Sequence, residues 1–238
     1  MRALFALFLT VTACGDNLGR NAYMWDDRRV LCSEKVDDLN GGLDWESVEQ
    51  HLQDAEEGGW AVIFHAHTPT VTVSLDRIER LLSAAATHHL APVTFRDLDE
   101  ASPRGAAFAL AFDDNAPDEW MLARPLLERY QARVTFFVAR YAALTTTQQD
   151  EIRVLADDGH DIEPHTVNHL HPRDYVAAHG LDAYVADEVL PSFQVLIDAG
   201  FPPPSAFAYP FGEHTAELDT AILAHVPRVR TTMGECPW

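Results

Sequence analysis

The stretch GHDIEPHTVNHLHP, residues 159–172, brings His160, His165, His169 and His171 together with Asp161. Imidazole is both a common metal ligand and a proton carrier near neutral pH. His165 and His169 stand at i and i+4, a spacing that on a helical turn projects both rings to one side. One carboxylate from elsewhere would complete three protein ligands, the usual set for catalytic zinc with water in the fourth place. Asp113-Asp114, at the end of the apolar run AFALAF, is a source of that carboxylate. Neighbours leaving a strand point in different directions, so one Asp can hold a metal while the other faces substrate as a base. His65 and His67, in WAVIFHAHT, form a further pair at a strand end. On spacing alone, a metal site and a solvated His-rich loop with a surface turn explain these residues equally well.

These side chains need a scaffold. Short β-branched or aromatic runs alternate with amphipathic stretches, the pattern of a mostly parallel sheet or barrel. Strands are expected at 60–66, 91–95, 107–112, 134–138, 160–165, 206–210 and 228–232, with helices at 46–57, 75–89, 147–158, 182–199 and 215–224. Ser74 is an expected N-cap, and Thr146 and Gln149 have capping-box spacing. Seven strands and a similar number of helices fit one (β/α) barrel, in which reactive groups gather at the C-terminal strand ends. Asp113, Asp114, His165, His65, His67 and the Tyr209-Pro210-Phe211-Gly212 turn all fall there. DEASPRG, residues 99–105, is the one internal candidate boundary, and it reads equally as a long surface loop.

Length allows one large domain or two small ones, and 47 % hydrophobic content supplies a sizeable core. The net charge of −20 argues against nucleic acid and against an anionic lipid surface. The start, MRALFALFLTVTAC, is similar to a bacterial lipoprotein signal: residues 1–13 would be removed, Cys14 lipidated, and 14–21 left as a tether. That implies an exported protein, anchored in the cell envelope on its periplasmic or extracellular face and touching membrane only through the lipid. Cys32 and Cys236 remain, and an oxidising compartment favours a disulfide between them.

FALAFDDN, VTFFVARY, GHDIEPHTVNH, FAYPFG and VRTT, in that order, resemble the NodB-type polysaccharide deacetylases, carbohydrate esterase family 4. The resemblance implies a distorted (β/α)7 barrel that removes acetyl groups from a carbohydrate polymer. It implies Asp113 as general base, Asp114, His165 and His169 as ligands of zinc or a similar divalent ion, and the backbone N–H of Phe211 as an oxyanion donor. Tyr209 and Pro210 would line the substrate site. Two departures stand out: Ala208 occupies the place of an Arg that contacts the base, and the L-x-H strand with the general acid does not follow the third motif.

VEQHLQDAEEGGWAVIFHAHT and VSLDRIERLLSAAATHHLAPVTFRDL resemble that missing end. Ile63-Phe64-His65 then fills L-x-H, making His65 the acid, with His67 on the same strand face as the reserve candidate and a substrate contact. Trp25-Asp26-Asp27 is the expected support for that His, or a solvated turn. Residues 22–238 thus read as a single circularly permuted barrel, with 22–100 supplying its C-terminal part and 101–238 its N-terminal part. A truncated fusion of two incomplete domains is the competing reading. The expected partner is an acetylated polysaccharide, and the expected state a monomer. A carbohydrate-binding lipoprotein that keeps the fold without turnover is the alternative function.

Overall fold

A computed structural model of the chain describes residues 19–39, 41, 44–98 and 105–237. The expected leader, Cys14 and nearly all of 99–105 lie outside the described residues. The elements in chain order are β1 (Ala22–Tyr23), β2 (Val30–Lys35), α1 (Trp45–Gly58), β3 (Ala61–Ala66), α2 (Leu75–Thr87), β4 (Ala91–Val93), β5 (Ala107–Asp114), α3 (Pro117–Arg129), β6 (Thr135–Val138), α4 (Thr146–Asp157), β7 (Asp161–Pro164), α5 (Pro172–His179), α6 (Leu181–Tyr184), α7 (Leu190–Asp198), β8 (Ala206–Ala208), α8 (Ala216–Ile222) and β9 (Arg228–Thr232).

Seven strands run parallel in the order β7-β6-β5-β3-β2-β9-β8 and curl into a nearly closed barrel. β3 lies directly beside β5, with His65 opposite Ala111 and Ala66 opposite Phe112. The last strand, β9, pairs with the first barrel strand, β2, from Val30↔Val229 to Ser33↔Thr232. Between β7 and β8 side chains take the place of a backbone ladder. The Ser205 N–H donates to both oxygens of Glu163 at 3.0 and 3.1 Å, and Arg96 donates to Asp161 at 2.9 Å and Glu163 at 3.0 Å.

Strand alternation decides what faces the barrel axis. Phe108, Leu110 and Phe112 of β5 pack outward with Phe136, Trp120 and Leu127 beneath the helices. Ala107, Ala109 and Ala111 face inward with Ile63, Phe137 and Ala208. Each fully buried Phe or Leu contributes about 1.5–3 kcal/mol to this outer layer. The inward alanines leave room on the axis, and the inward column of β5 continues into Asp113 at its open end.

The structure changes several expected elements. Val30–Lys35 is a barrel strand the sequence pattern missed; its inward Ser33 and Lys35 interrupt the apolar alternation. Residues 91–95 are not a barrel strand: β4 is a three-residue strip on the edge of β5 opposite β3, paired with Ala107–Ala109 below the point where β6 joins that edge at Ala111. Helix α3 was also missed, because Pro117 and Pro125 disguise it. Pro117 stands in the first turn, where no N–H is needed. The expected helix 182–199 breaks at a π turn, Val185–Val189. Pro191 lacks an N–H and cannot continue the regular ladder there. The capping box of α4 uses Thr145 and Gln148, one residue earlier than expected, while Ser74 accepts from the Arg77 N–H at 3.0 Å as an N-cap.

Candidate active site

A cavity of about 460 Å³ opens at the C-terminal ends of the barrel strands and is lined by His65, His67, Asp113, Asp114, His165 and His169 among others. Three donor atoms converge on one side of it. Asp114 Oδ1 lies 3.1 Å from His169 Nε2 and 3.8 Å from His165 Nε2, and the two imidazole nitrogens are 3.2 Å apart. Ligands around a tetrahedral ion with zinc-like bonds of about 2.0–2.1 Å lie about 3.3 Å from each other, so these three fit a divalent cation. His165 Nδ1 donates to the Ala208 carbonyl at 2.8 Å across the β7–β8 seam. That fixes the tautomer and turns the Nε2 lone pair to the site.

The electrostatics agree. Burial holds the His165 imidazole down at about 4, so the ring is a neutral ligand at pH 7. Burial alone would raise Asp114, but the His169 hydrogen bond and the surrounding imidazoles outweigh it and hold the carboxyl at about 2.

The backbone around this triangle is strained. Asp114 (φ 85°), Thr166 (φ 73°), His169 (φ 55°) and Phe211 (φ 59°) are all non-glycine residues in left-handed conformations. Such residues cost of order 1–3 kcal/mol each and persist where surrounding contacts over-determine them. His165 and His169 therefore converge through a left-handed loop and not through the helical turn expected from their spacing. Glu188, buried in the π turn, is one of the contacts that hold the loop: it accepts from the Asn168 N–H at 2.8 Å and from Asn168 Nδ2 at 2.6 Å. Thr166 Oγ1 accepts from the His169 N–H at 3.0 Å.

Asp113 is 3 % exposed. Its Oδ2 accepts from Arg230 Nη2 of β9 at 2.6 Å, while Oδ1 has no hydrogen-bond partner among the described residues. Ala208 thus leaves no gap in the charge pattern, because Arg230 reaches the carboxylate from the next strand.

The two histidines of β3 and its exit differ. His65 Nδ1 lies 2.9 Å from Ser33 Oγ. Burial and the nearby Arg230 push its pKa well below the ordinary value. His67 Nδ1 lies 2.5 Å from Asp37 Oδ2, and its backbone N–H donates to Asp37 Oδ1 at 3.1 Å. Burial opposes protonation of His67, but Asp37, Asp113 and Asp114 outweigh it and raise the pKa. Ligand atoms of His65, His67 and Asp113 all lie within 4.8 Å of one another. The expected support from Trp25-Asp26-Asp27 is not made: Asp26 pairs with Arg28, and Trp25 Nε1 donates to the Gly105 carbonyl. Asp37 was not anticipated; VDD after β2 reads as a turn, and only the β2–β3 pairing brings it to His67.

Phe211 stands at the mouth, 48 % exposed. Its ring stacks on His171 with centroids 3.8 Å apart, and Glu213 holds His171 Nδ1 at 2.9 Å. Gly212, at φ +71°, approaches β9 so closely that a Cβ would meet Thr232 Oγ1 at 2.5 Å. Tyr209 lines the cavity, but its hydroxyl is turned away to Asp219 at 2.8 Å. Pro210 is buried and does not line the cavity. His160 is buried under β6 and accepts from the Val134 N–H at 3.2 Å. Cys32 and Cys236 lie at disulfide distance, with Cα atoms 5.8 Å apart.

The family described as polysaccharide deacetylase matches residues 100–225, more than half of the chain. No curated protein matches. Among solved structures the chain is similar to IcaB from Ammonifex degensii, at 17 % identity over 74 % of this chain and 86 % of that one, with a TM-score of 0.62. It is similar to a de-N-acetylase from Aggregatibacter actinomycetemcomitans at 14 % identity, over 73 % and 94 %, with a TM-score of 0.60. It is also similar to the Streptococcus pyogenes deacetylase PplD in complex with acetate, at 20 % identity, over 68 % and 78 %, with a TM-score of 0.57. At these identities the likeness is one of fold.

Proposed function

Because this chain belongs to the polysaccharide deacetylase family, we propose that its cavity hydrolyses acetyl groups from an acetylated polysaccharide with the help of a divalent ion, most simply zinc. The observation that carries the reading is the convergence in one cavity of Asp113, the Asp114–His165–His169 triangle and the His67–Asp37 pair.

Asp114, His165 and His169 would hold the ion. Such an ion supplies Lewis acidity to a carbonyl and lowers the pKa of a water. Asp113, with Oδ2 tied to Arg230, keeps Oδ1 free to take the proton of the attacking water. The new C–O bond makes a tetrahedral oxyanion, toward which the Phe211 N–H donates; such a donor contributes about 3–4 kcal/mol. His67, kept protonated by Asp37, gives its proton to the leaving nitrogen or oxygen as the bond to the acyl carbon breaks and acetate departs. His65 stays neutral and positions the cavity wall through Ser33. These environments support exchanging the roles the sequence suggested for His65 and His67.

Circular permutation is part of the proposal. It is supported by β3 lying beside β5, by β9 closing onto β2, and by the Cys32–Cys236 pair at that junction. Export and lipidation at Cys14 are supported by the leader alone, and intact-mass analysis of the envelope-bound protein would test them. The test of the activity is acetate release over a panel of acetylated glycans. Metal-dependent release supports the reading, whereas tight glycan binding without release from any member would favour the non-catalytic alternative.

A further inference from the structure

Lys35 is the only lysine among the 17 Lys and Arg residues of this chain, whose net charge is −20. It stands at the C-terminal end of β2, opposite His65 in the parallel register. Ser33, two residues earlier, reaches His65, and Asp37, two residues later, reaches His67. Alternation therefore puts Lys35 on the same inward side, and it lines the active cavity.

The other charges of that cavity are already matched. Asp113 is tied to Arg230 at 2.6 Å, Asp37 to His67 at 2.5 Å, and Asp114 faces His165 and His169. Lys35 is exposed and makes no ion pair or hydrogen bond among the described residues. An unmatched ammonium at the rim of a cavity, in a chain with 37 acidic residues, provides a local attraction for an anion that the rest of the surface repels. A lysine suits this role: it is a compact point charge on a flexible stem and binds carboxylate or phosphate without fixed fork geometry.

We propose that Lys35 is a specificity residue that binds an anionic substituent, carboxylate or phosphate, on the acetylated sugar or the sugar next to it. This rests on the deacetylase reading of the cavity. Neutral acetylated glycans are then the poorer substrates.

Two measurements decide it. In the first, acetate release is followed on acetylated glycans of equal length that are neutral, uronate-bearing or phosphate-bearing. Wild type favours an anionic glycan by roughly tenfold in kcat/KM, chiefly through KM, as expected for one charge-assisted hydrogen bond. Added salt reduces the preference. Lys35→Gln removes the preference and Lys35→Arg restores most of it, while the two anionic arms tell carboxylate from phosphate. Equal losses on neutral and anionic glycans for Lys35→Gln overturn the proposal and assign Lys35 to the reacting centre instead. No loss on either also overturns it.

The second measurement needs no turnover, so it separates failure here from failure of the deacetylase reading. Since Lys35 is the sole lysine, an amine-reactive reagent followed by peptide mapping reports it directly in the wild-type protein. An anionic acetylated glycan should slow labelling of Lys35 several-fold, and the neutral glycan should not. Equal protection by both, or by neither, contradicts the proposal even if no acetate is ever released.

Discussion

Arg230 on the last barrel strand sets its Nη2 2.6 Å from Asp113 Oδ2, with 1 % and 4 % of the two side chains exposed. A guanidinium and a carboxylate from strands far apart in sequence thus form one buried unit under the cavity. Breaking a buried pair by removing one partner costs about 3–5 kcal/mol, because the other charge is left uncompensated. Arg230→Met should therefore lose several kcal/mol of stability and at least a hundredfold in kcat. Arg230→Met/Asp113→Asn should regain part of the stability and none of the activity, as read by denaturant unfolding and acetate release. A double variant no more stable than Arg230→Met would count against the pairing.

The pH dependence follows from His67 and Asp37. The His67 pKa is raised above 6.5, so the acid form is present below that raised value and lost as pH rises through it. Asp37→Asn removes a cause of the raising and should shift the alkaline limb of kcat to lower pH. His67→Gln should lower kcat by about 10²–10⁴ with metal content unchanged. His65→Gln should act mainly through loss of stability. The Asp37 pKa is lowered from 3.8, so its share of the pair's stability is present above that value and lost as pH falls below it. The His67 share is full below 6.5 and fades through the raised value.

Metal removal tests the Asp114–His165–His169 triangle. A chelator should abolish acetate release and lower Tm, since saturation at 100 times Kd stabilises by about 2.7 kcal/mol. Asp114→Asn and His165→Ala should each lower metal content by elemental analysis and remove the chelator-sensitive part of Tm. Unchanged metal content in both would refute the assignment of ligands.

Cys32 and Cys236 are 204 positions apart in sequence. Closing so long a loop removes chain entropy equivalent to about 5 kcal/mol from the unfolded state. Cys32→Ser should lower stability on that scale under oxidising conditions and change nothing under reductant. The same junction tests the permutation. A chain opened between Leu98 and Gly105, with its present ends joined by a linker in place of residues 1–18, should fold and release acetate.

Much of this was legible in the sequence because strand-end chemistry and metal spacing are local. Asp113, Asp114, His165 and His169 sit next to one another in short motifs, and the alternation in AFALAF places them. Asp37 and Arg230 were not legible as site residues. Each contributes through a partner on another strand, His67 or Asp113, and only the barrel order β5-β3-β2-β9 brings them into reach. β2 was hidden for the same reason: Ser33 and Lys35 serve the cavity and so break the apolar pattern that announces a strand. Pro191 is visible in the sequence, but the π turn it imposes matters only because Glu188 then meets Asn168.

The most direct measurement compares acetate release from an acetylated glycan by metal-loaded wild type and metal-loaded Asp113→Asn. Wild type should release acetate and lose that activity with chelator. Asp113→Asn should retain the ion, stay folded and fall by at least a hundredfold. Equal release by the two proteins, or none by wild type from any acetylated glycan while the metal is bound, would contradict the mechanism.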